Sequence, residues 1–424
     1  MADDDESRRR HNLDDDVTQP YNQQTAPVPA LKKPRSEPTA PPPPPQILLQ
    51  TRPVVDDDND DEAAWEKKYT WANPDPYSKE ERENHPLERG DWLPFGEQWI
   101  IAAASARGLE HRNGKYRDDD YAIRVFAQPG KGKSFFRQGP VMPYAAIIAI
   151  ADGLGSKPLS RHGARAASQG AISVDTRLVY RMYERLQAPD RNGEMQRLAN
   201  ETFNAAFNAA AERVTEQAKQ DEVTVEDLHS TLILVLAILD PHDPDRLTVI
   251  ASQVGDGSVY TVQRVPTVAA DTNTSDIPDA AHNTGSGSPG TPAPWRWLLK
   301  PQVEPTGTQV TPFMVRYKAD PERLLTEMKG QKQIPLRSLL AMTDGPAEVL
   351  TPYAPTGGAD VFQHARPFFE DVSVILRDTN DEKAVETRGT VFEKKAKELL
   401  QRKLRVGDDV TLVCLFHRDL LNPK

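Results

Sequence analysis

One cysteine, Cys414, is present in 424 residues, which excludes an intrachain disulfide framework and fits a reducing, cytoplasmic setting. Long apolar runs are missing as well. The longest aliphatic stretch, Thr231 to Leu239, falls well short of the roughly 20 residues that span a bilayer. The first twenty residues are charged rather than apolar, so no membrane segment or secretion leader is expected and the chain reads as soluble. Basic charge is in deficit, with 52 Lys and Arg against 63 Asp and Glu for a net charge of -11. Neutralising phosphate backbones takes a basic face, and none is visible, so nucleic acid is excluded as the main partner. Glycine is scarce at the front: the first 96 residues hold two of the 24 glycines but 15 of the 37 prolines, with three acidic runs. Such a stretch buries little, which leaves about 330 residues for a folded body with a large core.

Residues 1–64 combine Asp3 to Asp5, Asp14 to Asp16 and Asp56 to Asp58 with the proline run Pro41 to Pro45. Like charges repel and proline favours an extended backbone, so a disordered, partly stiffened tail is expected. It reads as a solubilising tether, the alternative being a docking tract for a proline-reading partner. Residues 65–96 add Trp65, Tyr69, Trp71, Tyr77, Trp92 and Phe95. Disordered segments are poor in aromatics, so part of this stretch is expected to lie on the folded body as a strap.

From residue 97 to the end, short apolar runs alternate with helical stretches. Strands are expected at Trp99–Ala104, Tyr121–Phe126, Ala145–Ala151, Thr231–Leu239, Leu247–Val254, Ser258–Val262, Trp295–Leu299, Leu336–Met342 and Val410–Phe416. Helices are expected at Gly163–Gln187, Glu194–Gln220, Pro321–Lys329 and Lys383–Leu404. In the second, Leu198, Phe203, Ala206, Phe207, Ala210 and Val214 form one apolar stripe for a sheet to cover. Two long helices in succession break strict strand-helix alternation, so the fold class is α+β, with sheets inside and helices outside. Residues 266–294, rich in Gly, Ser, Thr, Pro and Asp, read as a flexible insertion in a hairpin.

The chemistry concentrates where acids meet strand ends. Asp152-Gly153, Asp256-Gly257 and Asp344-Gly345 each sit near an aliphatic run, while Asp118-Asp119-Asp120 and Asp408-Asp409 precede runs. One Asp-Gly after a strand is an ordinary turn. Five acidic clusters at strand ends say more: if those ends converge, the carboxylates repel one another unless cations sit between them. Carboxylates select hard metals, hence Mg²⁺ or Mn²⁺, and none of the nine histidines forms an H-x-x-x-H zinc pair. Two such ions bind a phosphoryl group and activate a water, so phosphate ester hydrolysis is the natural reaction. Gly130 to Ser134 (GKGKS) is not a phosphate-cradling loop, because position 127 is Ala127 where that motif needs glycine. His162 reads as a helix-start residue or as a proton donor to the leaving oxygen.

The segments ASARGLEHRNGKYRDDDYAI, AIADGLGSKPLSRHGARAAS, DLHSTLILVLAI, VGDGSVYTV, LLAMTDGPAEV and GDDVTLVCL, in that order, resemble the type 2C metal-dependent serine/threonine protein phosphatases, the bacterial branch in particular. The resemblance implies a central β-sandwich of two antiparallel sheets flanked by helices, in α-β-β-α layers. It implies Mg²⁺/Mn²⁺-dependent hydrolysis of phosphoserine and phosphothreonine in proteins by a water activated between two metal ions. By the same resemblance, Asp152 bridges both ions, the Gly153 carbonyl completes one, and Asp344 and Asp408 bind the other. Asp118 and Asp119 hold metal-bound water, Asp120 being an extra residue, and Asp256 matches an aspartate associated with a third ion. Ser230-Thr231 matches a small polar pair of structural character.

Three departures bear on substrate handling. Gly114 stands where family members often carry a phosphate-binding arginine, leaving Arg112 or Arg117 as substitutes. Gly257-Ser258 follows Asp256 where Ser-Arg is common, and Leu154 follows Asp152-Gly153 where animal members have histidine. The alternative function is a catalytically inactive pseudophosphatase serving as a binding module.

Overall fold

The computed structural model describes residues 88–108, 117–134, 137–157, 159–188, 193–263, 295–302, 310–334, 336–350, 365–403 and 406–421. The tail and most of the strap, the insertion at 266–294 and Arg112 lie outside the described residues. Eleven strands are described: β1 Glu88–Phe95, β2 Trp99–Ala106, β3 Asp120–Ser134, β4 Arg137–Ala151, β5 Leu232–Leu239, β6 Leu247–Val254, β7 Ser258–Gln263, β8 Trp295–Leu299, β9 Lys329–Ile334, β10 Leu336–Met342 and β11 Val410–His417. They form two antiparallel sheets, one ordered β1-β2-β11-β10-β7-β8 and the other β3-β4-β5-β6-β9. The helices described are α1 Ser160–Ala171, α2 Thr176–Leu186, α3 Glu194–Gln220, α4 Phe313–Ala319, α5 Pro321–Thr326, α6 Asp344–Leu350, α7 Ala365–Asn380 and α8 Arg388–Lys397.

The strand sequences dictate the layering. A side chain every second residue faces one side of a sheet, and most central strands here are apolar on both sides. In β5, Ile233, Val235 and Ala237 face the opposite sheet, together with Ile148 of β4, Val413 of β11 and Leu339 of β10. The alternate residues Leu232, Leu234, Leu236 and Ile238 face outward onto Leu198, Phe203, Phe207 and Val214 of α3. In β11 the outward set is Val410, Leu412, Cys414 and Phe416, which meets Phe368 and Val372 of α7 and Phe392 of α8. Three apolar clusters therefore separate four layers, in the order helix, sheet, sheet, helix.

Several elements depart from the sequence expectations. The helix expected over Gly163–Gln187 is two helices, because Asp175 turns the chain and caps α2 by accepting a hydrogen bond from the Arg177 amide at 2.8 Å. β1, with Gly90 and Pro94, and β9, with sequence KGQKQI, were not expected as strands. Both are edge strands, where proline and polar residues are tolerated. GKGKS lies in the end of β3 and precedes no helix. α7 reads locally as an aliphatic run, VSVIL, but its helical face of Phe368, Phe369, Val372 and Leu376 is buried against the sheet. Among the described residues, no helix is long and apolar enough to cross a membrane.

Candidate metal centre

Sheet register brings the acidic segments together. Asp120, first in β3, pairs with Ala151, last in β4. Leu232, first in β5, pairs with Val254, last in β6. In the other sheet Met342, last in β10, pairs with Leu412 near the start of β11 and with Ser258 at the start of β7. Antiparallel ladders thus deliver residues 118–120, 152–153, 255–257, 343–345 and 408–409 to one end of the sandwich. Asp256 sits in the turn that carries the chain from β6 in one sheet to β7 in the other.

At that end, carboxylate oxygens of Asp152, Asp256 and Asp344 lie within 4.8 Å of one another. Opposite ligands stand about 4.2 Å apart around Mg²⁺ and about 5 Å apart around Ca²⁺, so oxygens at this spacing are on the scale of a shared divalent cation. Asp119 is buried; its Oδ2 accepts a hydrogen bond from Thr343 Oγ1 at 2.8 Å, and its Oδ1 meets no hydrogen-bond donor among the described residues. A buried, donorless carboxylate oxygen is costly unless a cation or proton satisfies it. Burial, then the charges of Asp409 and Asp344, hold the Asp119 carboxyl well above the usual carboxylate range. Burial, then Asp344 and Asp119, does the same to Asp152. The Asp119 and Asp152 carboxyls stand within hydrogen-bonding range, yet with both ionised neither has a proton to offer. Asp408, exposed, is close enough to contribute to the Asp152 shift, and its Oδ1 accepts from the Asp409 amide at 2.8 Å. An all-oxygen set of this kind fits hard divalent cations.

Backbone contacts fix the cluster. Gly153 forms a bridge with Ser230, the Thr231 amide donates to the Asp152 carbonyl at 2.7 Å, and the Asp152 amide donates to Thr231 Oγ1 at 3.1 Å. The Gly153 amide donates to the Asp118 carbonyl at 3.2 Å. A Cβ on Gly153 would stand 2.8 Å from both the Asp118 carbonyl oxygen and the Ser160 carbonyl carbon, so only glycine lets these backbones meet. Buried Asp409 accepts from the Gly108 amide at 2.6 Å and the Asp118 amide at 2.5 Å.

Other candidate residues are engaged elsewhere. Arg117, 3% exposed at its side chain, has Nη2 3.8 Å from Asp120 Oδ1. His162, in the first turn of α1, has Nδ1 2.7 Å from Asp221 Oδ2 at the end of α3. Thr343 and Asp409 carry no separate motif signal: a threonine before Asp-Gly and the second acid of Gly-Asp-Asp become visible as anchors only once β10 and β11 are paired.

The sequence model of a family described as protein phosphatase 2C matches residues 136–388, more than half of the chain. That range includes Asp152, Asp256 and Asp344. No curated protein sequence matches the chain. Among solved structures, it is similar to PppA, a regulatory component of T6SS in Pseudomonas aeruginosa, at 13% identity, covering 77% of this chain and 100% of that one with a TM-score of 0.37. A serine-threonine phosphatase 2C from Toxoplasma gondii is similar at 11% identity, with 77% and 99% covered and a TM-score of 0.39. The Mycobacterium tuberculosis serine/threonine phosphatase PstP/Ppp is similar at 15% identity, with 76% and 99% covered and a TM-score of 0.31. The family match, together with carboxylates gathered at one end of a two-sheet sandwich, establishes that the chain belongs to the protein phosphatase 2C family of metal-dependent serine/threonine protein phosphatases.

Proposed function

We propose that the chain hydrolyses phosphoserine and phosphothreonine in proteins, using Mg²⁺ or Mn²⁺ held by Asp119, Asp152, Asp344 and Asp408. The observation that carries this reading is the clustering of Asp152, Asp256 and Asp344 oxygens within 4.8 Å beside the donorless Asp119 Oδ1. Divalent cations bound there supply positive charge to phosphoryl oxygens and lower the pKa of water. Two ions suit the number of acids. Asp256, whose oxygen already lies with those of Asp152 and Asp344, is the residue for a third. Asp118 acts beside Asp119 through water, and the Gly153 carbonyl adds a neutral ligand.

The chain's own contribution is preorganisation. Thr343 and Asp409 hold the 118–119 segment and Thr231 holds Asp152, so the carboxylates do not have to move when cations arrive. Arg117 is committed to Asp120, which leaves Arg112 as the residue for the substrate phosphate. His162 is the candidate proton donor to the leaving oxygen; Asp221, at its Nδ1, orients the ring. The substrate class is phosphorylated protein, and a cytoplasmic location accords with a lone cysteine whose buried thiol is pushed up out of the thiolate range. Residues 1–64 and 266–294 contribute no ligand in this reading, and the phosphatase domain, expected from residue 97 onward, also takes in β1 as an edge strand.

The test is Mn²⁺-dependent hydrolysis of a phosphopeptide by the wild type and Asp152→Asn. Turnover should fall by at least about 100-fold, the upper end of what loss of an outer-shell partner costs a metal site. Turnover that survives the substitution, or survives chelation, would overturn the reading.

A further inference from the structure

β1, which lies outside the residues of the family match, contacts the segment that follows Asp118 and Asp119. β1 is the edge strand of one sheet and β3 the edge strand of the other. Arg89, second in β1, crosses between them. Its Nη1 donates to Asp120 Oδ1 at 2.9 Å and to the Tyr121 carbonyl at 2.9 Å, and its Cζ lies 4.2 Å above the Tyr121 ring. The Tyr121 hydroxyl donates to Asp91 Oδ2 at 2.7 Å, and Arg89 Nε stands 3.7 Å from that oxygen. Arg117 Nη2 stands 3.8 Å from the same Asp120 Oδ1. The side chains of Arg89, Asp91, Asp120 and Arg117 are 12%, 10%, 7% and 3% exposed, so solvent screens this network little. β1 is itself held fast: a Cβ on Gly90 would stand 2.3 Å from the Gly389 carbonyl oxygen at the start of α8, so the two backbones touch.

The position of the network gives it a role. Asp118 and Asp119 precede β3; apart from the Gly153 amide on the Asp118 carbonyl, the contacts described on them come from side chains. Two anchors were described above: Asp409 on the Asp118 amide and Thr343 on the Asp119 carboxylate. The residue that follows is Asp120, held by Arg89 Nη1 at the point where β3 pairs with the last residue before Asp152. We propose that Arg89 is a positioning residue for Asp118 and Asp119, with Asp120 as its handle, so that β1 sets the cation affinity of a centre it does not touch. The guanidinium matters because, while Nη1 donates to a carboxylate and a carbonyl, its plane lies over the Tyr121 ring, a stacking that a lysine does not reproduce. This inference rests on the reading of Asp119 as part of the cation site.

The experiment measures Mn²⁺ binding to the full chain by titration calorimetry, the Mn²⁺ dependence of phosphopeptide turnover, and Tm without metal, for wild type and variants. Arg89→Met should weaken Mn²⁺ binding about 10-fold or more, within the range for loss of a partner behind a metal ligand. The Mn²⁺ needed for half-maximal turnover should rise in step, while kcat at saturating Mn²⁺ changes little. The double variant Arg89→Met/Asp120→Asn removes the buried carboxylate that has lost its 2.9 Å partner and should recover much of the lost Tm without recovering affinity. If Arg89→Met does not fold, Arg89→Lys replaces it, with an intermediate loss of affinity expected. A variant with lower Tm but unchanged Mn²⁺ affinity and half-saturation would overturn the proposal and leave Arg89 as a tie between sheets. Wild-type chain that binds no Mn²⁺ would overturn the cation reading itself, and the proposal with it.

Discussion

At the scale of the residue, the centre is a set of like charges crowded at one end of the sandwich. Burial and neighbouring carboxylates hold Asp119 and Asp152 above the usual carboxylate range, so the folded, cation-free chain binds protons that the unfolded chain has released. The sign follows: with more protons on the native state, stability falls as pH rises from about 4, the unfolded carboxylate value, through the raised pKa values. Urea melts of EDTA-treated protein should show the midpoint falling as pH rises over this interval, with a shallower fall for Asp152→Asn. Added Mn²⁺ should reverse the fall and release protons as it binds. A cation-free midpoint that climbs with pH would contradict the assignment. His162 is tested at the same scale. As proton donor, His162→Gln should lose about 100-fold with an alkyl phosphate and little with an aryl phosphate, whose leaving group needs no proton. Equal effects on both, with a lower Tm, would make the His162–Asp221 contact a tie between α1 and the end of α3.

At the scale of the element, the sequence was readable where local pattern and tertiary role agree. β8 and β10, apolar apart from Arg296, Arg337 and Ser338, begin and end where that pattern does. α3 buries the stripe that its spacing indicates. β1 and β9 were illegible because an edge strand needs neither alternation nor β-branched residues, and α7 was illegible because its helical face is defined by the sheet it covers. Three acids that the structure brings together, Asp152, Asp256 and Asp344, were visible in the sequence through their Asp-Gly turns. Their supports were not: Thr343, Asp409 and Arg89 act on atoms far away in the chain, which only strand pairing makes near. The register also governs the insertion. Val262 of β7 pairs with Trp295 of β8, so the chain leaves and re-enters at neighbouring positions. Replacing residues 266–294 by a short Gly/Ser turn should leave Tm and turnover nearly unchanged, because loop closure changes by only about 0.6 kcal/mol per doubling of length. A large loss of phosphopeptide turnover with Tm intact would instead make the insertion a substrate-contacting flap.

For the whole molecule, two antiparallel sheets act as a device for bringing distant acids to one end, with helices on the outer faces supplying the burial that keeps the sheets rigid. Each sheet contributes part of the cage, so any change that shifts one sheet against the other is expected to weaken cation binding before it unfolds the chain. If residues 1–64 are a tether, deleting them should leave phosphopeptide turnover within about twofold, well below the 10-fold that marks loss of a partner of the site. A larger loss would assign the tail a part in catalysis. The most direct measurement is anomalous scattering from crystals grown with Mn²⁺. The account requires manganese peaks bonded to the carboxylates of Asp152 and Asp344 and adjoining Asp119, which would place cations from both sheets in one cage. Manganese bound elsewhere, or those carboxylates bare at saturating Mn²⁺, would contradict it.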